Sequence, residues 1–179
     1  MAFARTTAIV RASGLQLEPL VASHADEMFA VLSDGRMYDF MPGAPPTSLA
    51  ALRERYSMLA TQRSPDARQG WLNWIVRLDS GACAGFVQAT LYTEHTGDFA
   101  FALAPALWGR GMALEACRAA LPVLASEFTM HALFATADAR NARSIRLLER
   151  LGFREIAPAS YPHGTTEPGD AVFRVCLQS

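Results

Sequence analysis

The chain contains no lysine: all 16 of its basic residues are arginine, set against 17 acids for a formal net charge of −1. Without an ammonium side chain it cannot build a Schiff-base enzyme, a pyridoxal-phosphate enzyme or a P-loop nucleotide site. There is no surplus of positive charge either, so the electrostatic footprint of a nucleic-acid partner is missing. Cysteine is scarce. Cys83, Cys117 and Cys176 are odd in number, far apart and each set in an apolar run. With no CxxC and no local histidine partner, they read as buried free thiols of a reducing compartment. His24, His95, His131 and His163 are scattered without ligand spacing, and no metal is expected. Long apolar runs are absent too. Residues 1–17 are broken by Arg5, Arg11 and Gly14, which reads as neither a secretion signal nor a membrane span and points to a cytoplasmic protein with no membrane partner.

What is present is a core. Hydrophobic residues make up 51% of the 179 and charged residues only 18%, a balance that excludes disorder and suits one globular domain over residues 1–179. Leu15 to Leu20 alternates as a strand. A helix follows Ser23, with Met28, Phe29, Val31 and Leu32 on its apolar side, ending at Asp34-Gly35. Beyond the Pro42–Pro46 loop, Thr47 or Ser48 caps a helix carrying Leu49, Leu52, Tyr56 and Leu59. Trp71–Leu78 and Cys83–Tyr92 flank Asp79-Ser80-Gly81 as a hairpin, and Asp98–Leu103 is a further strand stopped by Pro105. A helix from Met112 towards Phe128 should kink or end at Pro122, which lacks an N–H and crowds the Arg118 carbonyl. His131–Ala137 is a strand and Asn141–Leu151 a helix stopped by Gly152; Phe153–Ile156 and Ala171–Leu177 close the chain as strands. This order describes a mixed α/β or α+β sheet protein, not an alternating doubly wound one.

Two segments carry chemistry. Leu107-Trp108-Gly109-Arg110-Gly111-Met112-Ala113 lies between a strand and a helix. Its glycines allow close backbone approach, and the unpaired amides of the first helical turn suit phosphate, with Arg110 adding charge. The bland alternative is a tight strand-to-helix turn. The second segment runs from Asn141 to Phe153, with Asn141 as N-cap, Ile145, Leu148 and Leu151 as core and Ser144 as a polar residue of the first turn.

In combination, Trp108-Gly109-Arg110-Gly111 and Asn141-x-x-Ser144…Leu151-Gly152-Phe153 resemble the GNAT superfamily of acyl-CoA N-acyltransferases. The branch they look most like is the RimJ/RimL-like one, typified by ribosomal-protein N-terminal acetyltransferases. Asp79-Ser80-Gly81 with Gly85 and the opening Leu15–Leu20 extend the resemblance over nearly the whole chain. It implies the GNAT fold: a twisted, mostly antiparallel sheet with a splayed parallel pair, here Asp98–Leu103 and His131–Ala137, flanked by helices. It implies acetyl-CoA as co-substrate, held by a pyrophosphate loop of Trp108, Gly109, Arg110, Gly111, Met112 and Ala113. The pantetheine arm would lie on the backbone of Phe101, Ala102 and Leu103, with one of those amides steadying the oxyanion. Asn141 would contact pantetheine or position the acceptor side, and Ser144 would lie beside the bound cofactor.

The resemblance has departures. Trp108 stands where the superfamily often has Gln or Arg, Pro122 has no functional reading, and the common helix tyrosine that protonates the thiolate falls at Leu148. Ser144 is then the best placed hydroxyl for that role, with water as the alternative. The amine must lose a proton before it attacks. Asp98 matches the place of a carboxylate base in many relatives, while Glu94, His95 and water are rivals. Glu115 reads as structural, Trp71 and Trp74 as core or pocket wall, and Tyr38 and Phe40 as lining for the acceptor. The expected activity is direct acetyl transfer to a primary amine, either a protein or peptide α-amine (pKa about 8) or a small amine. A non-catalytic acyl-CoA-binding module on the same fold is the alternative, and a homodimer is compatible with either.

Overall fold

The computed structural model describes residues 5–177. Period-two alternation turns one set of strand side chains onto each face of a sheet, and it organises the first half of the chain. Val10–Ala12 (β1), Leu15–Pro19 (β2), Gly70–Leu78 (β3), Cys83–Leu91 (β4) and Thr96–Leu103 (β5) pair antiparallel in chain order. Ala132–Asp138 (β6), Arg154–Ile156 (β7) and Asp170–Cys176 (β8) complete an eight-stranded sheet of order β1-β2-β3-β4-β5-β6-β8-β7. Only β5 and β6 run parallel, as they must when a helix carries the chain back across the sheet. This is the α+β architecture that the resemblance implies.

Ala25–Leu32 (α1) and Leu49–Leu59 (α2) pack on one face around Ile75, with Phe86 and Ala102. Met112–Ser126 (α3) and Ala142–Arg150 (α4) pack on the other, over Leu17, Trp74, Val87, Phe99 and Leu133. Ser48, rather than Thr47, caps α2: its hydroxyl accepts from the Ala51 amide at 3.1 Å. Asn141 caps α4 by accepting from the Ser144 amide at 3.2 Å. Gly152 stops that helix at φ +89°, and Phe153 is buried behind it.

Two expectations are corrected, the end of the helix at Pro122 and the uniform burial of the cysteines, and one short strand is unforeseen. The helix does not end at Pro122; α3 runs through it to Ser126. Arg118 and Pro122 both lie on the exposed side, so the carbonyl that Pro122 cannot bond is left to solvent. Leu124 and Ala125, buried beyond the proline, hold the last turn in place. The cysteines are not uniformly buried: Cys117 is, Cys83 is half-buried and Cys176 is exposed near the end of β8. Finally, β1 has only three residues, too few to show alternation in the sequence. The reading of residues 1–17 extends to residues 1–4, which lie outside the described residues. Among the described residues, no helix is long and apolar enough to cross a membrane.

One contact positions everything that follows. β5 and β6 pair only at Thr96↔Ala132, Gly97↔Leu133 and Asp98↔Phe134, then part. On its other side β5 stays paired with β4 through Gly85↔Leu103. That pairing is close: a Cβ on Gly85 would fall 2.1 Å from the Ala102 carbonyl oxygen. Only glycine permits it.

Candidate active site

The parting of β5 from β6 leaves half of a strand's backbone without a ladder partner. Hydrogen bonds from Ala104 N to Ala84 O and from Tyr92 N to Thr96 O show that even-numbered residues of β5 face β4. His131 N bonds His95 O, so odd-numbered residues face β6. By strand alternation, the peptide groups of Phe99, Phe101 and Leu103 open into the gap, whereas those of Ala102 turn towards β4. The indole Nε1 of Trp108 donates to the Leu103 carbonyl at 2.8 Å, and the Phe99 amide belongs to the last β5–β6 pair at Asp98↔Phe134, which leaves the Phe99 carbonyl, both groups of Phe101 and the Leu103 amide without a ladder partner. Ala102 contributes its side chain instead.

A cleft of about 450 Å³ runs along this gap. Its floor is Phe99–Leu103 and Ala135–Ala137, and one end is closed by Trp108, Gly109, Gly111 and Ala113. Gly109 and Gly111 have φ of +75° and +78°, and a Cβ on either would meet nothing within 4 Å. Their conformation favours glycine, and the space beyond them is open. The amides of Gly109, Gly111, Met112, Ala113 and Leu114 donate to no protein group among the described residues. Free amides at a helix start, backed by its dipole, are a cradle for a diphosphate. Arg143 of α4 stacks over the Trp108 ring at 3.8 Å and brings positive charge to this end, and Arg146 and Arg150 of the same helix also line the cleft. A long anionic ligand with an amide-bearing arm fits these groups.

Asn141 and Ser144 line the same cleft from the start of α4, and both are half-buried. Arg110 is exposed and Met112 packs on the core, and neither lines the cleft. Leu148, in the place of the missing tyrosine, is 1% exposed. From the opposite side come Arg36, Met37, Phe40, Met41 and Pro42 of the α1–α2 connection. Phe40 therefore lines the cleft. Tyr38 does not: its hydroxyl donates to the Leu32 carbonyl at 3.1 Å, which ties it to the end of α1. Trp74 is core; Trp71 is half-buried and donates to Gln69 at 3.1 Å.

Asp98 lies two residues before Ala100, on the same face of β5 and about 7 Å along the strand. Ala100 is an exposed residue of the cleft floor. The carboxylate is tethered at both oxygens: Tyr92 Oη donates to Oδ2 at 2.9 Å, and Oδ1 bonds His163 Nδ1 at 2.8 Å. Burial, and then its hydrogen bond to Asp98, push the Tyr92 hydroxyl above the usual phenol range. Burial, and then the Asp98 charge, do the same to Tyr161. Both tyrosines are thus kept as donors. The rivals sit differently. Glu94 is exposed on the β4–β5 turn and bonds Thr93 at 2.9 Å. His95 bonds Thr129 at 3.0 Å and stacks on His131. None of the three carboxylate or imidazole candidates, Asp98 included, lines the cleft itself; Asp98 is the nearest along the chain, one residue before Phe99 of the cleft floor. Sequence reading missed Tyr92, Tyr161 and His163, of which the last two lie in the Pro/Gly-rich loop between β7 and β8. That composition signals a loop and gives no hint of what the loop touches.

Against this geometry, residues 15–154 match the family model described as acetyltransferase (GNAT) domain. The chain belongs to the GNAT acetyltransferases. It is accordingly an N-acetyltransferase, built on the splayed fold described above. Solved structures repeat that fold at low identity. A GNAT-family acetyltransferase from Bacillus anthracis is 20% identical, with TM-score 0.75, covering 94% of this chain and 98% of that one. The ribosomal-protein-S5-alanine acetyltransferase from Vibrio fischeri is 16% identical, with TM-score 0.77 and coverage of 96% and 98%. RimL, a ribosomal L7/L12 α-N-protein acetyltransferase solved with coenzyme A, is 14% identical, with TM-score 0.79 and coverage of 95% and 98%. At these identities the likeness is one of fold, and it leaves the amine acceptor unassigned.

Proposed function

We propose that this enzyme moves the acetyl group of acetyl-CoA directly onto a primary amine, and that a protein or peptide N-terminal α-amine or a small amine is its acceptor. The observation that carries the reading is the join of two features in one cleft. Unladdered peptide groups at Phe101 and Leu103 lead to free amides at Gly109 and at Gly111, Met112 and Ala113. Backbone donors in that order suit an amide-bearing arm followed by a diphosphate. The likeness to RimL and to the S5-alanine enzyme supports a RimJ/RimL-like assignment and, with it, an α-amine.

Acetyl-CoA supplies the activated acyl group. Asp98 takes a proton from the incoming ammonium, directly or through water, and frees the nitrogen lone pair for attack. A gap-facing amide of β5, at Phe101 or Leu103, donates to the acyl oxygen where negative charge develops. The Ser144 hydroxyl, or water in its place, returns a proton to the sulfur as the thiolate departs. Asn141 fixes the start of α4, so that Ser144 and Arg143 face the cleft together.

The test is thiol release from acetyl-CoA with a panel of amines, comprising short peptides with free and with blocked N-termini, polyamines and small aromatic amines. Release that depends on a free amine identifies the acceptor class. Release no faster than hydrolysis, with CoA bound, overturns the catalytic reading.

A further inference from the structure

Asp98 is half-exposed and would by itself be one more solvated carboxylate at a strand edge. What sets it apart is a residue 65 positions away. The His163 side chain is 6% exposed, against 29% for Asp98. Both of its ring nitrogens are engaged: Nδ1 with Asp98 Oδ1 at 2.8 Å, and Nε2 with Thr96 Oγ1 at 2.9 Å. An ionised carboxylate only accepts, so Nδ1 carries the hydrogen and donates to Asp98. The ring is also clamped. Tyr92 stacks on it with centroids 3.9 Å apart, while Phe134 and Tyr161 meet it edge-on at 5.2 and 5.6 Å. A ring held by two hydrogen bonds and three aromatic neighbours has one orientation, and a carboxylate bonded to it inherits that orientation.

We propose that His163 is a positioning residue for the base: it aims the Asp98 carboxylate at the acceptor side of the cleft and ties the β7–β8 loop to the reacting end of β5. The inference rests on Asp98 being the base. His163 touches neither substrate nor cofactor and acts only through Asp98. Tyr92 holds the second oxygen, so the carboxylate is aligned from both sides while each oxygen keeps a lone pair for the amine proton. The same bond explains why the acceptor end needs the loop. Without it, Tyr92 alone holds Asp98, through one oxygen.

A double-mutant cycle separates positioning from mere packing. In His163→Ala, kcat should fall at least tenfold, with the Kd for acetyl-CoA unchanged within twofold by calorimetry. His163→Asn, whose side-chain amide places a donor near the Nδ1 position, should recover most of the lost turnover. In the Asp98→Asn background, His163→Ala should cost no further turnover. Three results overturn the proposal: turnover in His163→Ala within twofold of wild type, no recovery by folded His163→Asn, or additive losses in the double variant. If His163→Ala does not fold, Thr96→Val and His163→Asn decide the matter. Loss of turnover in Thr96→Val, with CoA binding retained, supports the proposal, and full turnover contradicts it. Full turnover in Asp98→Asn alone instead removes the base assignment itself, a distinguishable failure.

Discussion

The two ends of the cleft are built from different materials. The end at Gly109–Ala113 is made of main chain: amides without partners, two glycines at positive φ, and the unladdered half of β5. The Asp98 cluster, next along β5 from the cleft floor, is made of side chains, drawn from β4–β5, from Phe134 of β6 and from the loop before β8. Main-chain sites are set by local conformation and by which strands pair. Side-chain sites depend on elements distant in sequence meeting at one point. The first kind binds a ligand that every member of a fold shares, and the second is where a chain can differ from its relatives.

Substitutions should therefore separate the two ends cleanly. The largest effect is expected at the side-chain end: Asp98→Asn should lower kcat by about 10²-fold or more, while calorimetry finds acetyl-CoA affinity unchanged. Gly111→Asp should do the reverse, weakening acetyl-CoA at least tenfold because it sets a carboxylate in the cradle proposed for the diphosphate. Gly111→Asn tolerates positive φ equally well without the charge, and should lose much less. Equal losses in the two variants would show that backbone strain, and not charge, governs that end. Ser144→Ala bridges the ends and should reduce kcat several-fold with affinity intact; an unchanged rate gives the proton-donor role to water.

A smaller effect concerns the frame. Burial raises the Glu18 carboxyl, but hydrogen bonds from Arg77, Gln16 and His24 outweigh it and hold Glu18 below its ordinary 4.5. Glu27 is held down by Arg77 as well. A carboxylate with a depressed folded-state pKa contributes stability that is present above its unfolded pKa and lost as pH falls through the folded one. Arg77→Met should thus cost about 2 kcal/mol near neutrality. The gap in melting temperature between variant and wild type should close as pH drops below about 4.5. A gap that stays constant down to pH 2 would assign the loss to packing.

The same contrast explains what could be read from the sequence. The glycine pair, the Asn141 cap and the Gly152 stop are local devices, each demanded by a backbone conformation within a few residues, and all stand where expected. The sheet was legible for the same reason, since alternation marks β2 to β5 strand by strand. Pro122 misled because its consequence depends on whether the freed Arg118 carbonyl faces solvent, which is a tertiary fact. Trp108 was legible as part of the turn, but not as the group that occupies the Leu103 carbonyl. His163 was invisible as a partner of Asp98, because nothing in a Pro/Gly-rich loop states which strand it folds back upon.

The central claim is that the gap between β5 and β6 with the Gly109–Ala113 turn forms one acetyl-CoA site. Calorimetric titration of the purified protein with acetyl-CoA, with ATP and NAD as controls, tests it most directly. The account predicts micromolar, one-to-one binding of acetyl-CoA and no comparable binding of the other two. Absence of acetyl-CoA binding, or equal binding of all three, would contradict it.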